Sequence, residues 1–113
     1  MKLQHWAWPW VMIALFWTTP SHAQNFVLAT DFWLAPRSAQ TVRVQPQLQQ
    51  ALTAYLKTDQ ARLRLHHQKR DESIAQAEEL RGWLIALGVE AERIELTDDN
   101  PVNAIKLEIM DIR

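Results

Sequence analysis

Cysteine is absent from the chain. That excludes disulfide staples, a thiol nucleophile, thiolate metal ligands and a lipid-anchored cysteine. Glycine is nearly absent too, at two residues, and no glycine-rich loop is present to cradle a phosphate. Basic charge is not in excess: 12 Lys and Arg stand against 13 Asp and Glu. A mildly acidic chain is a poor match to nucleic acid. No apolar run reaches the roughly 20 residues that cross a bilayer as a helix. No Ser-His-Asp order or distributed set of catalytic groups stands out, so nucleophile, base and orienter are not in evidence and the chain is read as no enzyme. No cofactor is implied.

What is present begins at the N-terminus. MKLQHWAWPWVMIALFWTTPSHA opens with Lys2, continues as an apolar run from Trp6 to Trp17 broken only by Pro9, and ends Ser21-His22-Ala23. A basic start, a short apolar middle and small residues at the two positions a signal peptidase reads make a secretory signal peptide over residues 1–23. Cleavage after Ala23 removes Lys2 and leaves 11 basic and 13 acidic residues, a formal charge of −2. About 90 residues then remain, enough for one small domain. The expectation is a periplasmic protein without a membrane span after cleavage, held together by packing alone.

Residues 24–40 read as an N-terminal arm and 41–113 as an α/β domain. The arm, "QNFVLATDFWL" and onward, has apolar clusters at Phe26–Leu28 and Phe32–Leu34 without clean alternation. It fits a strand, an arm lying on the domain or an adhesive tail. Its aromatics Phe32 and Trp33 are candidate partner contacts, because large aromatics dominate cores and interfaces alike. Trp33 is expected to be at least partly buried. "TVRVQ" (residues 41–45) alternates and predicts a strand. Pro46 then suits a first helical turn, and Leu48, Leu52, Tyr55 and Leu56 recur at helical spacing. "ARLRLHH" alternates again. After the polar "QKRDE", Ser73 with Gln76 fits a capping box, Asp71 is a rival cap, and Ile74, Ala77, Leu80, Leu84 and Leu87 form one apolar stripe. Gly88-Val89 predicts a left-handed C-cap with its hydrophobic contact. "RIELT" and "AIKLEIMDI" supply two more strands, with a phase slip to Met110 and Ile112, and "DDNP" lies between them as a turn.

The predicted order is strand, helix, strand, helix, strand, strand. Both helices have one apolar stripe and every strand one apolar face. An α+β fold satisfies them all: a two-layer βαβαββ sandwich with two helices on one face of a mixed four-stranded sheet. The other sheet face should carry Arg43, Arg62, Arg64, Glu95, Lys106 and Glu108.

His66-His67 is the one histidine pair left after cleavage. Neighbouring strand residues point to opposite faces, so no metal site is predicted there. Asp98-Asp99-Asn100 lacks the glycine and distal glutamate of a calcium loop and reads as a turn.

The segment "AEELRGWLIALGVEAERIEL" resembles the second helix, Gly-Val stop and following strand of the OmpA-like domain, shared by outer-membrane porin tails, peptidoglycan-associated lipoproteins and flagellar stator proteins. "PQLQQALTAYLKTDQARLRL" resembles that family's first helix and second strand, and "AIKLEIMDI" its closing strand. The resemblance implies a last strand placed between the first and second. It also implies a ligand site after the second strand, where the family carries a Gly-His-Thr-Asp loop and then Leu-Ser-x-x-Arg-Ala at the helix start. There an aspartate and an arginine clamp the amino-acid end of diaminopimelate in peptidoglycan, a fork on a carboxylate being well suited to it. Ser73 matches the motif serine and Ala77 the alanine. Gln76 stands where the arginine belongs, and no aspartate is in register. Arg70, Asp71, Ser73 and Gln76 are therefore the candidate ligand residues. The resemblance implies a non-catalytic binding or assembly module of the cell envelope with a protein partner, or a wall-binding domain with altered recognition of peptidoglycan.

Overall fold

The computed structural model describes residues 23–111. Apart from Ala23, the predicted signal peptide lies outside the described residues, as does Ile112. The chain runs β1 (Gln24–Leu28), a 3-10 turn (Thr30–Leu34), α1 (Ala39–Arg43), α2 (Pro46–Lys57), β2 (Ala61–His66), α3 (Asp71–Ala86), a second 3-10 turn (Ala91–Arg93), β3 (Ile94–Thr97) and β4 (Ile105–Asp111). The four strands form one open sheet in the order β1-β4-β2-β3. β4 is antiparallel to both its neighbours, and β2 and β3 are parallel. A parallel pair needs a crossover, and α3 supplies it.

Period-two alternation decides which face is buried. Leu63 and Leu65 of β2 and Ile105, Leu107 and Ile109 of β4 are all at most 1% exposed. They join Leu28, Val42, Leu48, Ala51, Ala77, Leu80 and Leu84 in one core between sheet and helices. Arg62, Arg64 and His66 of β2, Glu95 of β3, and Lys106 and Glu108 of β4 share the other face by parity. The fold class is the predicted one.

The first strand is not where alternation placed it. "TVRVQ" falls in and just after α1, and Gln24–Leu28 pairs with β4 instead. Local chemistry explains the exchange. The Ser38 hydroxyl accepts from the Thr41 N–H while the Thr41 hydroxyl accepts from the Ser38 N–H, a reciprocal capping box that satisfies orphan donors and starts a helix. Val42 is then buried while Val44 is 53% exposed, so the two valines do not share a face. Arg43 sits in the last turn of α1 and not on the open sheet face. In β1, Phe26 and Leu28 do face the core, but Val27 is apolar and 52% exposed on the other side, which hid the alternation.

Two further local readings are corrected. Leu56 is 80% exposed, and α2 instead buries Leu48, Ala51 and Ala54. The small alanines place the helix against the sheet, and Leu56 falls beyond the edge of that stripe. The capping box at Ser73 is not formed. α3 begins at Asp71 with Arg70 in the cap position and no side-chain cap, and Ser73 is buried in the first turn. Asp71 and Glu72 put carboxylates beside the free N–H groups, where they favour the helix dipole.

The far end of α3 is as predicted. Gly88 has φ 111°, its N–H donates to Ile85 O at 3.0 Å, and the Val89 N–H donates to Leu84 O at 3.0 Å. This is a Schellman ending with Val89 tucked into the core. A Cβ at Gly82 would meet nothing within 4 Å, so Gly82 is an exposed helical glycine. The two glycines should therefore respond oppositely to alanine. Gly82→Ala is expected to stabilise by about 0.5–1 kcal/mol. Gly88→Ala is expected to destabilise by about 1–2 kcal/mol through left-handed strain. Thermal melts of the two variants should move apart by roughly 10 °C, at about 4–8 °C per kcal/mol for a domain of this size.

Candidate functional site

Three segments converge at one end of the sheet: the exit of β2 (His66, His67), the start of α3 (Gln68 to Glu72) and the β3–β4 connection (Asp98 to Ala104). Alternation sends the two histidines to opposite sides, and both are buried, at 7% and 5% exposed. His66 lies between two carboxylates. Its Nδ1 is 2.6 Å from Asp99 Oδ1 and its Nε2 is 2.8 Å from Glu108 Oε1. Both nitrogens can donate at once only in the imidazolium. The contact with His66 holds the Asp99 carboxyl below the usual carboxylate range. On the other side, His67 Nδ1 is 2.8 Å from Gln68 O.

The turn predicted at Asp98-Asp99-Asn100 is a stitched loop. The Asn100 N–H donates to His67 O at 3.0 Å, and its side-chain amide donates to Ala104 O at 2.6 Å. Gln68 Nε2 donates to Pro101 O at 3.0 Å. Arg70 spans the mouth, donating to Gln68 Oε1 at 3.0 Å, Asn103 Oδ1 at 3.4 Å and Glu72 Oε1 at 3.1 Å. Of the candidate ligand residues, Arg70 and Asp71 stand side by side on the surface, Gln76 is half-buried one turn on, and Ser73 is 2% exposed. At the third helical position Ser73 faces the sheet and is not presented with Arg70 and Asp71. Asp99 and Glu108 escaped the sequence reading as partners of His66. Alternation put Glu108 and His66 on one face, but only the β2–β4 register, which pairs His66 with Lys106 and Arg64 with Glu108, makes Glu108 its diagonal neighbour. Among the described residues no group of three or more His, Asp or Glu is placed to hold a metal ion.

A second cluster fastens residues 30–37 to α3. Trp33 is half-buried, as expected, and packs against the core beside Phe32, their rings edge-to-face at 4.9 Å. The Arg37 guanidinium lies 5.1 Å over the Trp33 ring, donates to the carbonyls of Trp33 and Ala35, and forks onto both carboxylate oxygens of Glu79. Trp83 Nε1 donates to the same carboxylate at 3.0 Å. Trp33 Nε1 is buried with no partner among the described residues. Phe32 and Trp33 thus belong to a docked segment, while Leu34 beside them is 85% exposed.

Arg37, followed by Trp83, holds the Glu79 carboxyl below the usual carboxylate range. A carboxyl whose folded-state pKa is depressed adds stability that is fully present above its unfolded pKa, about 4.3 for glutamate. That stability is lost as pH falls through the folded value. The melting temperature is therefore expected to fall on acidification below about pH 5. Glu79→Gln should start lower at neutral pH and fall less steeply. Asp99 acts in the same window and direction, so part of the slope should survive in that variant.

No family model, no curated protein and no solved structure matches the chain. Among the described residues, no helix is long and apolar enough to cross a membrane.

Proposed function

We propose that this protein is a small periplasmic module of the cell envelope with an OmpA-like fold, which binds or assembles with a protein partner and carries out no catalysis. The observation that carries this reading is the use made of the polar groups at the β2–α3 mouth. His66 is committed to Asp99 and Glu108, and Arg70 to Gln68, Asn103 and Glu72. Side chains of the kinds that elsewhere clamp a ligand here hold the β3–β4 connection in place. Apolar side chains such as Leu34 are meanwhile left outside. The strand order is the one the resemblance implies, which supports the fold without assigning a task. Export is proposed on the sequence of residues 1–23, a basic start, an apolar run and a small-residue ending.

One observation favours a second reading, weak or altered recognition of peptidoglycan. Arg70 and Asp71 are both exposed and adjacent, offering a cation and an anion to a zwitterionic ligand end. Co-sedimentation with purified peptidoglycan separates the two. The expected result is no retention above a control protein, and an unchanged result for Asp71→Ala. Retention that weakens in Asp71→Ala would replace the protein-partner reading with the wall-binding one. Fractionation followed by intact mass is expected to find a periplasmic species beginning at Gln24. A membrane-retained species of full-length mass would contradict the compartment.

A further inference from the structure

The two edges of the sheet differ. β3 has four residues, and its exposed Glu95 pairs with Arg64 at 3.2 Å. β1 is Gln-Asn-Phe-Val-Leu, with no charge and no proline. Natural edges are commonly blunted by charge, proline or bulges, because an unpaired row of N–H and C=O groups is a template for another strand. β1 has no charge or proline to blunt it. Among the described residues it is paired on one side only, with β4.

Beside that edge lies a groove of about 540 Å³, bounded by Gln24 and Phe26 of β1 and by Gln49, Gln50, Thr53 and Lys57 of α2. The geometry follows from two periodicities. Gln24 and Phe26 are two apart on the helix-facing side of the strand. Gln49, Thr53 and Lys57 are four apart along one ridge of the helix. A strand added to β1 would send alternate side chains into this groove, while its backbone paired with the edge. Main-chain bonds supply affinity and the pocket supplies choice in this mode of recognition.

Charge narrows the occupant. The lining holds amides, a hydroxyl, a ring and one cation, and no carboxylate. Lys57 is exposed and makes no ion pair among the described residues. A second copy fits poorly. α2 packs chiefly on β1, so pairing β1 with β1 of another copy would drive two α2 helices into the space each groove occupies. A five-residue edge is also short of the roughly 1,200 Å² that a stable interface buries. The occupant must be a strand without a helix over it.

We propose that the edge of β1 and the groove between β1 and α2 bind an extended peptide segment of a partner protein, as a fifth strand, with a carboxylate of that segment at Lys57. This rests on the binding-module reading and gives it a site and a ligand class.

The test uses the purified protein and fluorescein-labelled peptides of alternating valine and threonine, about eight residues long, a usual strand length being about five to ten. One peptide ends in a free carboxylate and one in a carboxamide. Two carboxylate versions are N-methylated on alternate residues, one on the odd set and one on the even. The carboxylate peptide is expected to bind and to shift backbone amide resonances of β1 and α2. The carboxamide peptide should bind about threefold more weakly, the size of an exposed ion pair, and Lys57→Glu should abolish that preference. One N-methylated set should lose at least about tenfold in affinity while the other keeps it, because only one edge of an added strand is hydrogen-bonded. No binding, equal binding of the two N-methylated sets, or shifts confined to the open sheet face would overturn the proposal. So would a dimer, seen by sedimentation, that the peptide dissolves.

Photocrosslinking in cells separates this failure from failure of the underlying reading. Protein adducts from a photoreactive residue at Gln50 that Lys57→Glu weakens support the groove. Adducts from Leu34 alone overturn the groove and leave the binding module standing. Retention on peptidoglycan without protein adducts from either position overturns both.

Discussion

Leu107→Ala is expected to cost about 2–5 kcal/mol, the range for removing a buried leucine side chain beyond its β-carbon. Leu107 is 0% exposed. It sits in β4, one of the two internal strands, opposite Phe26 on β1 and Leu65 on β2. A cavity there is walled by strands that cannot collapse without breaking the ladder. Small domains hold only about 5–15 kcal/mol in total, so this single change should consume a large share of the stability. Leu56→Ala deletes the same atoms from a residue 80% exposed, and should change stability by less than about 0.5 kcal/mol. Urea unfolding of the two variants checks both values. Equal midpoints would show that the core does not lie between this sheet face and the helices.

His66→Ala is expected to destabilise by about 2–3 kcal/mol, the scale of hydrogen bonds to charged groups together with a polar partner left uncompensated. The imidazole is nearly buried on the open sheet face, and Glu108, with a side chain 19% exposed, depends on it. Asp99 is more open, at 54% for the side chain, and water should replace its bond more readily. Glu108→Gln in the His66→Ala background should therefore recover part of the loss, since an amide costs less to bury unpaired than a carboxylate. His67→Ala tests the assignment. That ring contacts only the backbone carbonyl of Gln68 among the described polar groups, and Glu108→Gln should rescue nothing there. Chemical denaturation of the four variants measures these differences. Loss of amide protection at Asn100, read by hydrogen exchange in His66→Ala, would locate the damage in the β3–β4 connection.

Most of the architecture was legible because long patterns average out local accidents. α3 carries Ala77, Leu80 and Leu84 in register and stops at a glycine with a positive φ, and no strand pattern competes for those residues. β2 and β4 alternate over several residues with β-branched or leucine side chains on the buried face. "TVRVQ" misled because two valines over five residues satisfy a strand as readily as a helical turn. The deciding interaction, the Ser38–Thr41 box, joins the first residue of that window to a serine just outside it. The assignment of β1 suffered from the opposite fault. Its inward residues are apolar, but so is Val27, and the strand exists because β4 offers it an edge, a tertiary fact that no local pattern contains. At the candidate site, the histidines and their opposed directions were readable. The commitment of His66 to Asp99 and Glu108 was not, because it joins residues far apart in sequence. Arg37 and Glu79 were missed for the same reason.

The sheet order also has a temporal meaning. β4, the last strand described, lies between β1 and β2. On a chain emerging from its N-terminus, β1 has no partner until β4 exists, and before then only the β2–β3 pair can assemble, with α3 as its crossover. Such distant pairings pay their loop-closure entropy late and fold slowly for their size. The nascent polypeptide should accordingly lack a closed core until β4 has been made. Its uncharged first strand, exposed meanwhile, is the segment most in need of a holding chaperone. A chain that cannot close its core early stays extended and open to a holding chaperone for longer, which suits the export proposed above.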